Sequence, residues 1–156
     1  MNPHHRRLMM DYEKVRNMAS HNQLIIIEKT KGSPPCEYWI RFKIRGIIGL
    51  DIIRKEPIYG HSHLLHILLS PKYPRKAPVF HMETSIWHPN IGYPGLNKSG
   101  GFICIGDNGY APSLGLDDLI QRIIAIIRYE NIGYERPYNV EAKNWALLHQ
   151  HLFPLE

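Results

Sequence analysis

Trp87-His88-Pro89-Asn90-Ile91, followed by Gly101-Phe102-Ile103-Cys104-Ile105, is the stretch on which the reading of this chain turns. It pairs a side-chain amide at Asn90 with a thiol at Cys104. An amide can hold a developing negative oxygen, and a thiol can carry an acyl group as a thioester. The two residues stand fourteen positions apart, across Gly92-Tyr93-Pro94-Gly95-Leu96-Asn97-Lys98-Ser99-Gly100. That segment reads as loop, and a loop can fold the two groups back toward each other. Judged by residue type alone, a cysteine between Ile103 and Ile105 is a buried apolar group. The His-Pro-Asn turn upstream and the glycines at 100, 101 and 106 favour chemistry instead, because glycine permits a path that exposes a thiol to an extended chain.

Upstream, the spacing predicts an amphipathic helix from about Pro3 to Ala19, with Leu8, Tyr12, Val15 and Ala19 inward and Met18 alongside. Arg6, Arg7, Lys14 and Arg16 fall between these positions and are expected to face water. Leu24-Ile25-Ile26-Ile27 is a β-branched run that predicts a buried strand, and Lys31-Gly32-Ser33-Pro34-Pro35 a turn. From Tyr38 to Ile44 the alternation is clean. Tyr38, Ile40, Phe42 and Ile44 point one way, and Arg41, Lys43 and Arg45 the other, as in an antiparallel sheet with one wet face. Residues 46–60 are ambiguous. Leu64 to Leu69 reads as a third strand, with Leu65, Ile67 and Leu69 on one face. The proline-rich crossing Pro71-Lys72-Tyr73-Pro74-Arg75-Lys76-Ala77-Pro78 leads to a fourth from Val79 to Met82.

Downstream, residues 106–113 read as loop. Leu116 to Ile127 predicts a deeply buried helix, with Asp117 and Asp118 favouring the positive end of its dipole. Arg128 to Pro137 is a linker. Val140 to about Phe153 predicts a last helix, with Ala142, Trp145, Ala146 and Leu148 or His149 inward. The expected class is therefore α+β: an N-terminal helix, a four-stranded antiparallel meander, an active-site loop, a buried central helix and a C-terminal helix.

The chain has 156 residues, 44% hydrophobic and 21% charged, which fits a single domain over residues 1–156 with a real core. No run approaches the roughly 20 apolar residues of a membrane span, and the N-terminus lacks the apolar core of a secretory signal. A cytoplasmic protein is expected, with no membrane partner. The two cysteines have no CxxC spacing, and Cys36, at a strand entrance, reads as incidental. The formal charge of +5 is spread along the chain without a basic run or interleaved aromatics, so nucleic acid is not expected. Ten histidines raise the question of a metal. In a strand, His61 and His63 share a face and His66 lies on the other, and no HExxH or paired CxxC supports them. No metal or cofactor is expected.

Taken in order, these pieces resemble the ubiquitin-conjugating enzyme family. Arg6-Arg7-Leu8-Met9 resembles the start of its first helix. The 73–79 segment resembles its tyrosine-proline turn, Trp87 to Ile91 its His-Pro-Asn signature, and Gly101 to Ile105 its active-site segment. Tyr110-Ala111-Pro112-Ser113 resembles its Trp-Ser-Pro turn, with the following helix at 116–127. The likeness covers nearly the whole chain.

The resemblance implies that Cys104 accepts a ubiquitin or ubiquitin-like C-terminus from an activating enzyme as a thioester and passes it to a lysine amine. It implies that Asn90 either bonds the oxyanion or braces the active-site loop, and that His88 shapes the turn. By the same likeness Tyr110 borders the cysteine, and Glu135 serves as the acid that lowers the incoming amine's pKa. The activating enzyme is expected on the N-terminal helix at Arg6 and Arg7, with a target protein and a ligase as further partners. Some features depart from the family pattern. The loop between Asn90 and Cys104 is several residues longer, Arg75 stands where many members carry a large apolar ligase contact, Tyr110 replaces Trp, and Arg136 falls where Asp is usual. These mark a divergent, compact relative, similar to members of bacterial ubiquitin-like conjugation systems. Two rival readings are a catalytically inactive ubiquitin-like-binding adaptor on the same fold and, on charge alone, a nucleic-acid-binding domain.

Overall fold

The computed structural model describes residues 2–105 and 109–155. Helix α1 (Pro3–Ser20) leads into β1 (Ile25–Gly32), β2 (Pro35–Phe42), β3 (Gly46–Leu50), β4 (Pro57–Gly60), β5 (His63–Leu68) and β6 (Val79–Met82). Helices α2 (Leu116–Ile127) and α3 (Val140–Leu148) follow, then a 3₁₀ turn at Gln150–Leu152. The fold is α+β, as the sequence indicates.

The expected meander is an antiparallel sheet in the order β1-β2-β5-β6. Its alternation is as read: Tyr38, Ile40, Phe42 and Ile44 are buried, as are Leu65, Ile67 and Leu69. The ambiguous 46–60 segment is a separate β3–β4 hairpin inserted between β2 and β5. Its alternation is hidden because the register slips between Ile47 and Gly49, and a bulge breaks period two. Asp51 closes its tip by accepting from the backbone N–H groups of Ile53 and Arg54. The last helix stops at Leu148 rather than Phe153, and Leu148 faces water.

Two hydrophobic clusters result. The main one joins α1, the inner face of the four-stranded sheet and α2. The second gathers Ile47, Trp87, Tyr129, Ala142, Trp145 and Ala146, with Tyr93 and Phe153 at its margin, and so fastens α3 to the inserted hairpin.

Arg7 corrects the sequence reading. Its side chain is only 13% exposed and pairs with Asp11, one turn on, at 2.8 Å. Asp11 is fully buried. It also accepts from the Tyr73 hydroxyl at 2.5 Å and from the Leu116 N–H, at the start of α2, at 3.1 Å. Arg7 further donates to the Tyr73 hydroxyl and to the carbonyls of Pro112 and Leu114. A buried carboxylate requires a paired cation and donors for its lone pairs, and α1 supplies the cation by turning Arg7 inward. Helix spacing alone cannot show this, because the partners come from residues 73, 112, 114 and 116.

Candidate functional site

Residues 101–104 make isolated β-bridges on both sides, at Phe102 and Ile103, and so form a short cysteine strand that no periodicity announces. On one side it pairs with β6: Met82 N–H donates to Gly101 O at 2.7 Å, and Ile103 N–H to Phe80 O at 3.1 Å. On the other side it pairs with the His-Pro-Asn turn. Cys104 N–H donates to Asn90 O at 2.8 Å, and Gly92 N–H to Phe102 O at 3.0 Å. Asn90 and Cys104 are therefore neighbours across a two-sided ladder, and the Cys104 thiol is half-buried.

The long loop is accommodated by folding on itself. Gly101 N–H closes it onto Gly92 O at 2.7 Å, and Asn97 N–H bonds Tyr93 O at 3.0 Å. Tyr93 then donates its hydroxyl to Ile48 O at 2.9 Å, which holds the loop against β3. Two glycines are needed for this. A β-carbon on Gly92 would lie 1.8 Å from Ser99 O, and Gly101 has φ +84° with His81 Nε2 only 2.4 Å from where its β-carbon would be. Gly106, the third glycine of the sequence argument, and the start of the loop expected there lie outside the described residues.

The Asn90 side chain is 6% exposed and committed at both ends. Its Nδ2 donates to Gly133 O at 2.8 Å, and its Oδ1 accepts from Gly133 N–H at 2.8 Å. Of the two implied roles, this geometry is that of a brace, with one amide N–H left over by inventory. His88 is fully buried, and its Nδ1 accepts from the Asn90 N–H at 2.9 Å. That bond leaves the ring's N–H at Nε2. Burial pushes its pKa down to about 3, so the ring is neutral and shapes the turn.

Residues not singled out from sequence complete the support. Trp87 N–H bonds Ile47 O at 2.7 Å, the Tyr129 hydroxyl donates to Trp87 O, and Asn139 N–H bonds Pro89 O at 3.0 Å. Asn139 also caps α3 through Ala142 N–H at 3.0 Å. The cap residue before an apolar helix was a readable signal for Asn139. Tyr129 and Gly133, in a linker, carried none.

Tyr110 is half-buried and donates its hydroxyl to Pro74 O, which ties the segment after the cysteine to the proline-rich crossing. Burial raises its pKa. Arg122, from α2, holds the same segment at Gly109 O. Glu135 is exposed, two residues past the Gly133 that Asn90 grips. Arg6 is exposed, whereas Arg7 is engaged inside as described above. The three close histidines are separated: His61 is exposed, His63 is buried with Nε2 2.9 Å from Ile44 O, and His66 faces Glu37 at 2.8 Å on the outer face. Among the described residues no group of three or more His, Cys, Asp or Glu side chains is arranged to hold a metal, and no helix is long and apolar enough to cross a membrane.

No family model and no curated protein match this chain by sequence. Solved structures do match it. One, named as a ubiquitin conjugating enzyme from Trypanosoma cruzi, superposes with a TM-score of 0.66 at 16% identity, over 93% of this chain and 90% of that one. Another, the E2 domain of a Toxoplasma gondii ubiquitin conjugating enzyme, gives a TM-score of 0.62 at 20% identity, over 94% and 88%. The chain thus has the fold of the ubiquitin-conjugating enzymes, the UBC fold.

Proposed function

We propose that this protein is a conjugating enzyme for ubiquitin or a ubiquitin-like protein, with Cys104 as the acyl carrier. The observation that carries this reading is the half-exposed Cys104 thiol, on a strand locked to the His-Pro-Asn turn, within a UBC fold. In the first step Cys104 Sγ, having lost its proton, attacks the carbonyl of the thioester on an activating enzyme. A new S–C bond forms, and the old one breaks to release the activating enzyme's thiol. In the second step an amine, most simply a lysine of the target, attacks the Cys104 thioester. The isopeptide bond forms, the S–C bond breaks, and Cys104 regains its proton. A thioester suits this exchange because sulfur leaves easily and resonance stabilises its carbonyl poorly.

Asn90 contributes chiefly by bracing the 133 loop, and the second N–H of its amide is the group this reading assigns to the developing oxyanion. His88, neutral and buried, holds the turn. Glu135, on the braced loop, takes up or steers the incoming amine's proton, and Tyr110 borders the thioester. Arg6 and the exposed face of α1 receive the activating enzyme, and Arg7 acts from inside by fixing that helix to residues 112–114. A ligase and the target complete the partner set.

The test is a charging assay with a ubiquitin-like protein and an activating enzyme shown to charge itself, run on non-reducing gels. A thiol-sensitive adduct that becomes a thiol-resistant ester in Cys104→Ser is the expected result. No adduct from a competent activating enzyme overturns the catalytic reading and favours an adaptor.

A further inference from the structure

The outer face of the main sheet carries a row of rings that ends two residues before Cys104. Lys29 lies opposite Trp39, Trp39 opposite His66, His66 opposite His81, and His81 opposite Phe102. The Lys29 ammonium is 4.8 Å from the Trp39 ring centre. Trp39 and His66 stack at 4.6 Å, and His81 meets Phe102 edge-on at 4.7 Å. Glu83 joins the two imidazoles, with Oε1 3.7 Å from His66 Nδ1 and 3.4 Å from His81 Nδ1. The far nitrogens face acceptors as well. His66 Nε2 is 2.8 Å from Glu37 Oε2, and His81 Nε2 is 3.1 Å from Gly100 O.

His81 offers an N–H at Nε2 within reach of the Gly100 carbonyl, while Glu83 Oε1 lies farther, 3.4 Å, from its other nitrogen. For His81 this bears directly on the site. Its Nε2 partner, Gly100, opens the turn into the cysteine strand, and Gly101 presses so close that no side chain fits between them.

The geometry points to His81 as a positioning residue for Cys104: aimed by Glu83, it holds the Gly100 carbonyl and the Phe102 ring and so sets the path of the strand that presents the thiol. The groups facing the row are Lys29 and Lys31 from β1, Glu37 from β2, His66 from β5 and Glu83 just past β6. The cysteine strand adds the Gly100 carbonyl and the Phe102 ring. This inference deepens the proposed conjugating function, and only its activity readout rests on that reading.

The first arm is NMR on the uncharged Cys104→Ser protein. The backbone amides of residues 101–104 are compared with and without His81→Phe and His81→Gln at one pH. They are expected to shift in His81→Phe and to return most of the way in His81→Gln, whose amide can still donate to Gly100 O. The second arm measures lysine discharge of the charged enzyme with Cys104 intact. His81→Phe is expected to slow discharge by roughly ten- to a hundredfold, the upper figure being the cost of a 1 Å misplacement of the reacting group. His81→Gln keeps an N–H for Gly100 and is expected to recover most of the rate. Amides that stay in place in His81→Phe, or a His81→Phe enzyme that discharges at the parent rate, overturn the proposal. Should the parent take up no modifier while its amides respond to His81→Phe, the positioning role stands and the conjugating function falls.

Discussion

The two hydrophobic clusters hold the cysteine strand from opposite sides by different means. The main cluster is largely aliphatic: Leu65, Ile67, Leu119, Ile120, Ile123 and Ile127 are all fully buried, and they hold the β6 side of the strand. The second is aromatic. His88 meets Tyr129 at 4.5 Å, Tyr129 meets Phe153 at 4.7 Å, and Trp145 stacks on His149 at 5.0 Å. It holds the His-Pro-Asn side. Aliphatic packing is non-directional and stabilises by area, whereas rings with polar tips also fix orientation. The contrast fits the two tasks: the sheet side provides a platform, and the turn side sets the aim of Asn90.

The largest expected effect tests the platform. Ile123→Ala, at a fully buried position in α2, should cost about 2–5 kcal/mol in denaturant unfolding. Tryptophan fluorescence in a Trp39→Phe background, which leaves Trp87 and Trp145 of the second cluster, should share its midpoint with far-ultraviolet circular dichroism. Separate midpoints would mean that the clusters unfold independently and would sharpen the division between them.

Next comes acid sensitivity of the turn side. His88 titrates at about 3 when folded against an ordinary value of 6.5. Between those values the unfolded chain binds the proton and the folded one does not, so stability is full above 6.5 and falls as the pH drops toward 3. The loss should be on the order of a few kcal/mol, and His88→Asn, which keeps an acceptor for the Asn90 N–H, should flatten that slope. Burial of His63 shifts its pKa in the same direction, so some slope should remain. An unchanged profile in His88→Asn would remove His88 from the account.

Asn90→Ala strips partners from both the N–H and the carbonyl of Gly133 and should cost roughly 1–3 kcal/mol in thermal unfolding. Its effect on lysine discharge should exceed what that stability loss explains. Equal losses would reduce Asn90 to a purely structural brace. The smallest effect is expected from Tyr129→Phe, which removes the hydroxyl held by Trp87 O and should lower stability by about 1 kcal/mol. A much larger drop would show that orientation, rather than area, dominates the second cluster.

The main cluster was legible in the sequence because its signals are local. The alternation from Tyr38 to Ile44 and the apolar surround of 116–127 each state their own face. The second cluster was not. Its hairpin is bulged, and Tyr129 and Gly133 sit in a segment that reads only as linker. The inward turn of Arg7 was hidden for a related reason: a cation between apolar helix positions reads as solvated until a buried carboxylate and distant carbonyls appear beside it.

The sequence by itself determined the order of the helices and of the four main-sheet strands, the inner face of the sheet and of α2, and that an amide-bearing turn stands one loop away from a thiol. These depend on side-chain periodicity and on residues close along the chain. Only the tertiary structure decided that the Asn90 amide points to Gly133, that His88 stays neutral, that the long loop closes onto Gly92 and β3, and that a row of rings crosses the sheet to the cysteine strand. Each of these depends on which backbone groups distant segments bring within hydrogen-bonding reach, and no spacing along one segment encodes that.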